Sequence, residues 1–231
     1  MAPLTALGCM RLSTAADRDD ERSLLLLREA LDSGVRFFDT ADVYCRDETD
    51  VGHNERLLAR ALASWTGDRS AVTVATKGGL TRPGGDWIPD ARARHLAAAC
   101  EASRRALGVD RLALYQLHAP DPKVPLATSL RALARLRQDG LVEAVGLCNA
   151  TVGQIREAER LLPIAAVQVE LSPWRDDNLL NGVAEHCRDR GLRIFAYRPL
   201  GGPERRARVL RDPVLREVAE RHDASPFEVA L

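Results

Sequence analysis

LGCMRLS, residues 7–13, closes the first apolar run of the chain and leads into its first helix-like segment. In an open parallel sheet that binds a dinucleotide, this turn carries glycines in the pattern GxGxxG, which let the backbone approach a pyrophosphate. Here a single glycine, Gly8, is followed by Cys9, Met10 and Arg11. The turn speaks against a doubly wound dinucleotide-binding sheet. For a chain of alternating strand and helix patterns, that leaves a (β/α)8 barrel as the competing architecture.

Outward from this turn the alternation runs along the whole sequence. Apolar runs occur at TALGCM (5–10), VRFFD (35–39), AVTVATK (71–77), RLALYQLH (111–118), EAVGLCN (143–149), AAVQVE (165–170) and LRIFAY (192–197). Most are near-continuous rather than alternating, as strands covered on both faces should be. Helical patterns fill residues 20–34, 54–65, 93–108, 126–140, 151–162 and 178–191. Asn54 and Thr151 read as N-caps, and Gly34, Gly108, Gly140 and Gly191 as C-terminal stops. No linker or low-complexity tract interrupts the pattern, so residues 1–231 read as one domain.

A barrel presents function at the C-terminal ends of several strands at once. Six consecutive runs here end in side chains capable of chemistry: Asp39, Lys77, His118, Asn149, Gln168 with Glu170, and Tyr197. Tyr44 follows in the loop after the second run. Neighbouring strands lie about 4.8 Å apart, so such groups can converge on one point. A phenol is a poor proton donor at neutral pH; a nearby ammonium, Lys77, is expected to lower its pKa. Asp39 would hold that ammonium charged, and His118 would add a hydrogen-bonding group. Composition sharpens the point. The chain has 31 arginines and only two lysines, Lys77 and Lys123, so a retained Lys suggests a need for a compact ammonium.

The same composition narrows the partners. Basic and acidic residues balance at 33 each, which favours no nucleic acid or anionic membrane. No apolar run reaches membrane-spanning length, and MAPLTALGCM lacks the basic and apolar regions of a signal peptide, so the expectation is cytoplasmic. The five cysteines are scattered without CxxC spacing and read as reduced thiols, with no metal site expected.

In order and in register, DTADVY (39–44), VATKGG (74–79), SRRALGVDRLALYQLHAPD (103–121), VGLCN (145–149), AVQVELSP (166–173) and AYRPLGG (196–202) resemble the aldo-keto reductase family. The resemblance implies a (β/α)8 barrel that reduces a small-molecule carbonyl substrate with NADPH. It places a catalytic tetrad on Asp39, Tyr44, Lys77 and His118, the four residues that spacing alone had grouped. It implies a cofactor site of Cys148, Asn149, Gln168, Tyr197, Arg198 and Leu200, with Tyr197 stacking on the nicotinamide.

Several positions depart from the family. Cys148 replaces a usual Ser and is a weaker donor. Arg198 stands where a small residue is common, either clasping the cofactor's phosphates or solvated. Cys45 would be open to oxidants if the mouth is open. Relative to the family, the chain reads as lacking the eighth βα unit and the N-terminal hairpin. That suggests a part of a longer polypeptide with open strand edges, a tendency to self-associate and weak NADPH binding. The alternative function is a reductase-like module with a nucleotide-sensing role or no remaining catalysis. Bland readings stand beside the others: His53, His95, His186 and His222 as packing or surface residues, a metal site at His118 with Asp121 as a weak rival, and Trp87 and Trp174 as pocket-lining or rim-packing aromatics.

Overall fold

The computed structural model describes residues 5–203 and 205–231. Its strands are β1 (Ala6–Gly8), β2 (Phe37–Asp39), β3 (Thr73–Gly78), β4 (Leu80–Thr81), β5 (Ile88–Pro89), β6 (Leu112–Leu117), β7 (Val142–Cys148), β8 (Ile164–Glu170) and β9 (Arg193–Tyr197). Seven form one sheet in the order β1-β2-β3-β6-β7-β8-β9, every neighbouring pair parallel. β4 and β5 form a separate antiparallel hairpin just after β3. The helices are α1 (Arg11–Thr14), α2 (Asp20–Asp32), α3 (His53–Ser64), α4 (Ala93–Leu107), α5 (Leu126–Gln138), α6 (Val152–Glu159), α7 (Asp177–Leu180), α8 (Val183–Arg190), α9 (Arg206–Val209), α10 (Pro213–Arg221) and α11 (Pro226–Ala230). No described helix is long and apolar enough to cross a membrane.

Side-chain alternation within each strand separates two layers. Phe38 of β2 points outward and packs with Leu24, Leu27 and Leu31 of α2 and Leu57, Leu58 and Ala61 of α3. Phe37 points inward, where it meets Ala75, Leu114, Ala166 and Phe195. The rings of Phe37 and Phe195 stack at 4.7 Å, although they belong to β2 and β9, near opposite margins of the sheet. That contact requires the sheet to curl on itself into a nearly closed barrel with its helices outside, the (β/α)8 fold. Above the apolar layer, the next inward positions are polar: Asp39, Lys77, Gln116 and Gln168.

Helix ends follow local chemistry. Asp19 accepts from Arg22 N to start α2, with Asp20 and Glu21 in the first turn where the helix dipole favours negative charge. Thr151 and Gln154 make a reciprocal capping box on α6, as Thr151 predicts. Gly108 and Gly191 close α4 and α8 in the left-handed region, and Gly34 and Gly140 take positive φ just after α2 and α5. Asn54 does not cap α3; Gly52, at φ 81°, is the N-cap, and Asn54 is the helix's second residue. The pattern over 178–191 is two helices, because Gly182 at φ 86° breaks the run between α7 and α8. Ser225 opens α11 with a second capping box. The exposed arginines of 205–208 lie in and before α9; Glu204 lies outside the described residues. The expected lack of an N-terminal hairpin falls on residues 1–4, also outside them.

Candidate active site

The register of the sheet carries Asp39, Lys77 and Gln116 to one rim. Asp39 pairs with Ala75, two residues before Lys77, and Lys77 pairs with Gln116 across β3 and β6. Lys77 is 1% exposed. Its Nζ donates to Asp39 Oδ1 and Oδ2, each at 2.7 Å, to the Thr40 carbonyl at 2.9 Å and to Tyr44 Oη at 2.9 Å. The loop that brings Tyr44 over the rim is itself anchored. Thr40 Oγ1 donates to Asn54 Oδ1 at 2.6 Å, and Asn54 Nδ2 donates to the Cys9 carbonyl at 2.8 Å and Ser13 Oγ at 2.7 Å. Asn54 is therefore a buried tie between α3, the first turn and the Tyr44 loop, a role its helical sequence context does not reveal. The His118 ring stands edge-on to Tyr44 at 5.6 Å, and its Nδ1 is buried without a partner among the described residues.

Protonation states follow from burial and charge. Burial, the largest single influence, acts to strip the proton from Lys77, but the Asp39 carboxylate and the weaker pull of Tyr44 and Cys148 together outweigh it, and the net direction is upward. For Tyr44, burial pushes the phenol up, Lys77 pulls it back and Asp39 pushes it up again; the net direction is upward. This corrects the expectation that Lys77 leaves the phenol with a lowered pKa: loss of solvent around a potential phenolate exceeds the ammonium's pull. Burial, then the Lys77 charge, hold His118 well below the ordinary imidazole range. At neutral pH the site is thus a protonated phenol, an ammonium and a neutral imidazole.

Beside this group lie the residues of the second set. Cys148 Sγ donates to Gln168 Oε1 at 3.3 Å, and Gln116 Nε2 donates to the same oxygen at 3.4 Å. The thiol orients Gln168, and burial pushes its pKa up to about 12. Gln168 Nε2 has no partner among the described residues, so its donor is available to an acceptor at the rim. Asn149 takes φ 56° at the end of β7, Tyr197 Oη donates to its Oδ1 at 2.9 Å, and its Nδ2 approaches the His118 carbonyl at 3.5 Å. Arg198 also takes a positive φ, 52°. These two non-glycine residues in the left-handed region, both at strand ends, mark backbone strain on this rim. Arg198 is half-exposed and 4.0 Å from Glu170, and Leu200 is partly buried.

Other expectations are met unevenly. Cys45 is fully buried with its Sγ on the Val43 carbonyl, and burial raises its pKa to about 11, so it is not open to oxidants as expected. Asp121 accepts from Ala91 N and Lys123 N, a turn-forming use, and no cluster of metal-ligating side chains occurs among the described residues. His186 pairs with Glu159, and His53 with Ser13 and Asp20. Trp174 donates its indole N–H to Asp212. Trp87 stands 6.2 Å from both the Tyr44 and His118 rings, at the mouth. Gln116 went unnoticed in the sequence; the signal was a polar residue inside an apolar run, two positions before His118.

A buried lysine held between a carboxylate and a tyrosine thus sits at the mouth of a parallel barrel. The chain belongs to the aldo/keto reductase family, whose model matches residues 5–231. Among solved structures it is similar to a thermostable aldo-keto reductase determined with the inhibitor epalrestat, at 26% identity over 99% of this chain and 79% of that one, with a TM-score of 0.80. It is also similar to a glycerol dehydrogenase of Gluconobacter oxydans, at 26% identity over 99% and 78%, with a TM-score of 0.84. A holo-form aldo-keto reductase of Bacillus halodurans matches at 25% identity over 90% and 64%, with a TM-score of 0.71. The chain is thus of an oxidoreductase family that acts on small-molecule carbonyls and uses nicotinamide cofactors.

Proposed function

We propose that residues 1–231 act as one barrel domain that reduces an aldehyde or ketone to its alcohol with NADPH, Tyr44 giving the proton. The observation that carries this reading is the 2.9 Å contact of Tyr44 Oη with Lys77 Nζ, while Asp39 grips the same ammonium with both oxygens. When bound, a reduced nicotinamide supplies a hydride to the carbonyl carbon. Tyr44 donates its proton to the carbonyl oxygen as charge develops there, so the C=O bond becomes C–H and O–H. The phenolate left behind is stabilised by Lys77, which Asp39 keeps charged. Neutral His118 lies beside the phenol and orients the substrate oxygen toward it. The raised pKa of Tyr44 in the closed site keeps the proton in place until a negative oxygen demands it.

The rim residues fit a nicotinamide. Its carboxamide oxygen suits the unpartnered Gln168 Nε2, Asn149 supplies a second amide, and Tyr197 offers a ring face to stack on. Arg198 is the charged residue of this set available to phosphate. The test is steady-state reduction of a panel of neutral aldehydes by wild type and Tyr44→Phe, followed by loss of NADPH absorbance, with cofactor affinity measured separately by fluorescence. Turnover should vanish in the Phe variant while NADPH affinity is retained and exceeds that for NADH. An unchanged turnover number in Tyr44→Phe would sink this reading.

A further inference from the structure

Arg82, on the hairpin that follows β3, is not accounted for by the tetrad or by the rim amides. Its side chain is buried, with the residue 6% exposed. Nη2 donates to the carbonyls of Cys45 at 3.1 Å and Arg46 at 3.0 Å. Nε and Nη1 are sealed from solvent and have no partner among the described residues. Nor does the guanidinium pair with any described carboxylate. Glu48 accepts from Gly84 N, and Asp50 pairs with Arg18. A buried cation with idle donors is costly, because desolvation is uncompensated at each one.

Position gives this idle cation a use. The guanidinium lies 3.9 Å from the centroid of the Trp87 ring, and the aromatic rings beside it among the described residues are those of Tyr44 and His118. Trp87 is thus the spacer between Arg82 and the proton donor. It is 42% exposed, and it follows a turn in which Gly84 and Gly85 both take positive φ. An exposed ring on a short glycine-containing hairpin can tilt; a buried one could not.

We propose that Arg82 is a specificity-determining residue that receives a carboxylate or similar anionic group of the substrate, Trp87 tilting to admit it beside the carbonyl to be reduced. The inference rests on the reductase reading above. An anion at Nε and Nη1 would satisfy the donors that the protein leaves open, and Trp87 would cover the body of the molecule. The arrangement favours carbonyl compounds that also bear an acid over neutral ones of equal size.

The test compares para-carboxybenzaldehyde with its neutral methyl ester under NADPH. Wild type is expected to favour the acid in kcat/KM by about ten-fold or more, as a charge-assisted contact to a buried donor allows. In Arg82→Gln the ratio should fall to near one, whatever happens to overall activity. Arg82→Lys, which keeps the charge, should retain part of the preference and serves if the Gln variant does not fold. Calorimetry with benzoate and benzamide, in the presence of NADP+, reads the same site without turnover: benzoate should bind wild type more tightly and lose that advantage in Arg82→Gln. If neither aldehyde is reduced, the reductase reading fails, and calorimetry still decides the role of Arg82. Equal use of acid and ester by wild type, with equal binding of benzoate and benzamide, overturns the proposal. So does an Arg82→Gln variant that keeps the full preference.

Discussion

Replacing Asp39 with Asn keeps the shape of the site and removes the charge that faces Lys77. In the wild type both carboxylate oxygens lie 2.7 Å from Nζ, and the ammonium is 1% exposed. The variant leaves the Thr40 carbonyl, Tyr44 Oη and one neutral amide oxygen around a buried cation, with an amide NH2 in place of the second carboxylate oxygen. Breaking a buried pair from one side typically costs about 3–5 kcal/mol. The sign of the pH dependence separates this cause from a general packing defect. In the wild type the folded pKa of Lys77 is raised, so its stabilisation is fully present below the unfolded value of about 10.4 and is lost only as pH climbs through the higher folded value. In Asp39→Asn the leading influence, burial, goes unopposed by the carboxylate, and the folded pKa falls below about 10.4. Stability then rises with pH between that lowered value and about 10.4, by up to about 1.4 kcal/mol per pH unit. Urea unfolding followed by circular dichroism at a series of pH values between about 7 and 10 should therefore show a gap between wild type and variant that narrows as pH rises. A gap under about 1 kcal/mol, or one that stays constant with pH, would show that Asp39 does not hold Lys77 charged.

Lys77→Arg should lose carbonyl reduction almost as fully as Lys77→Met, because a planar fork cannot occupy the site that one Nζ shares between Asp39 and Tyr44; near wild-type turnover would refute this. His118 has a depressed folded pKa, so the unfolded chain binds its proton first and stability falls as pH drops below about 6.5. His118→Asn should flatten that decline in acid unfolding titrations relative to wild type. Gly78→Ala would put a methyl 1.9 Å from Tyr115 Oη, which is buried and donates to the Leu96 carbonyl; a loss of about 1–3 kcal/mol in urea unfolding is expected. A melt that matches wild type would mean that β3 and α4 can shift apart.

The barrel, and the convergence of Asp39, Lys77 and Tyr44 with His118 beside them, were legible in the sequence for a physical reason. Parallel strands covered on both faces are apolar along their length, so the polar residues that end them, Asp39 in FFD and Lys77 in VATK, stand out as the rim. Capping chemistry is equally local, and Thr151 reads correctly because its partner, Gln154, is three residues away. Near-continuous apolar runs hide the inward and outward faces, however. Only the register shows that Gln116 shares the rim with Lys77, and only the stacking of Phe37 on Phe195 shows that the sheet closes.

What depends on the amount of solvent excluded was decided by the tertiary structure. The residues that surround Tyr44 are named in the sequence, but whether the ammonium or burial governs its proton depends on how deeply the loop packs, and burial prevails. Cys45 is shielded for the same reason, although its place next to Tyr44 suggested exposure. Asn54 reads as a helix cap from its neighbours, yet its amide reaches Thr40, Cys9 and Ser13 because the fold brings three separate segments to it. Arg82 is the furthest case. In the sequence it is one of 31 arginines, and the idle donors that single it out exist only where the hairpin folds it beneath Trp87, beyond the reach of solvent and of any carboxylate described.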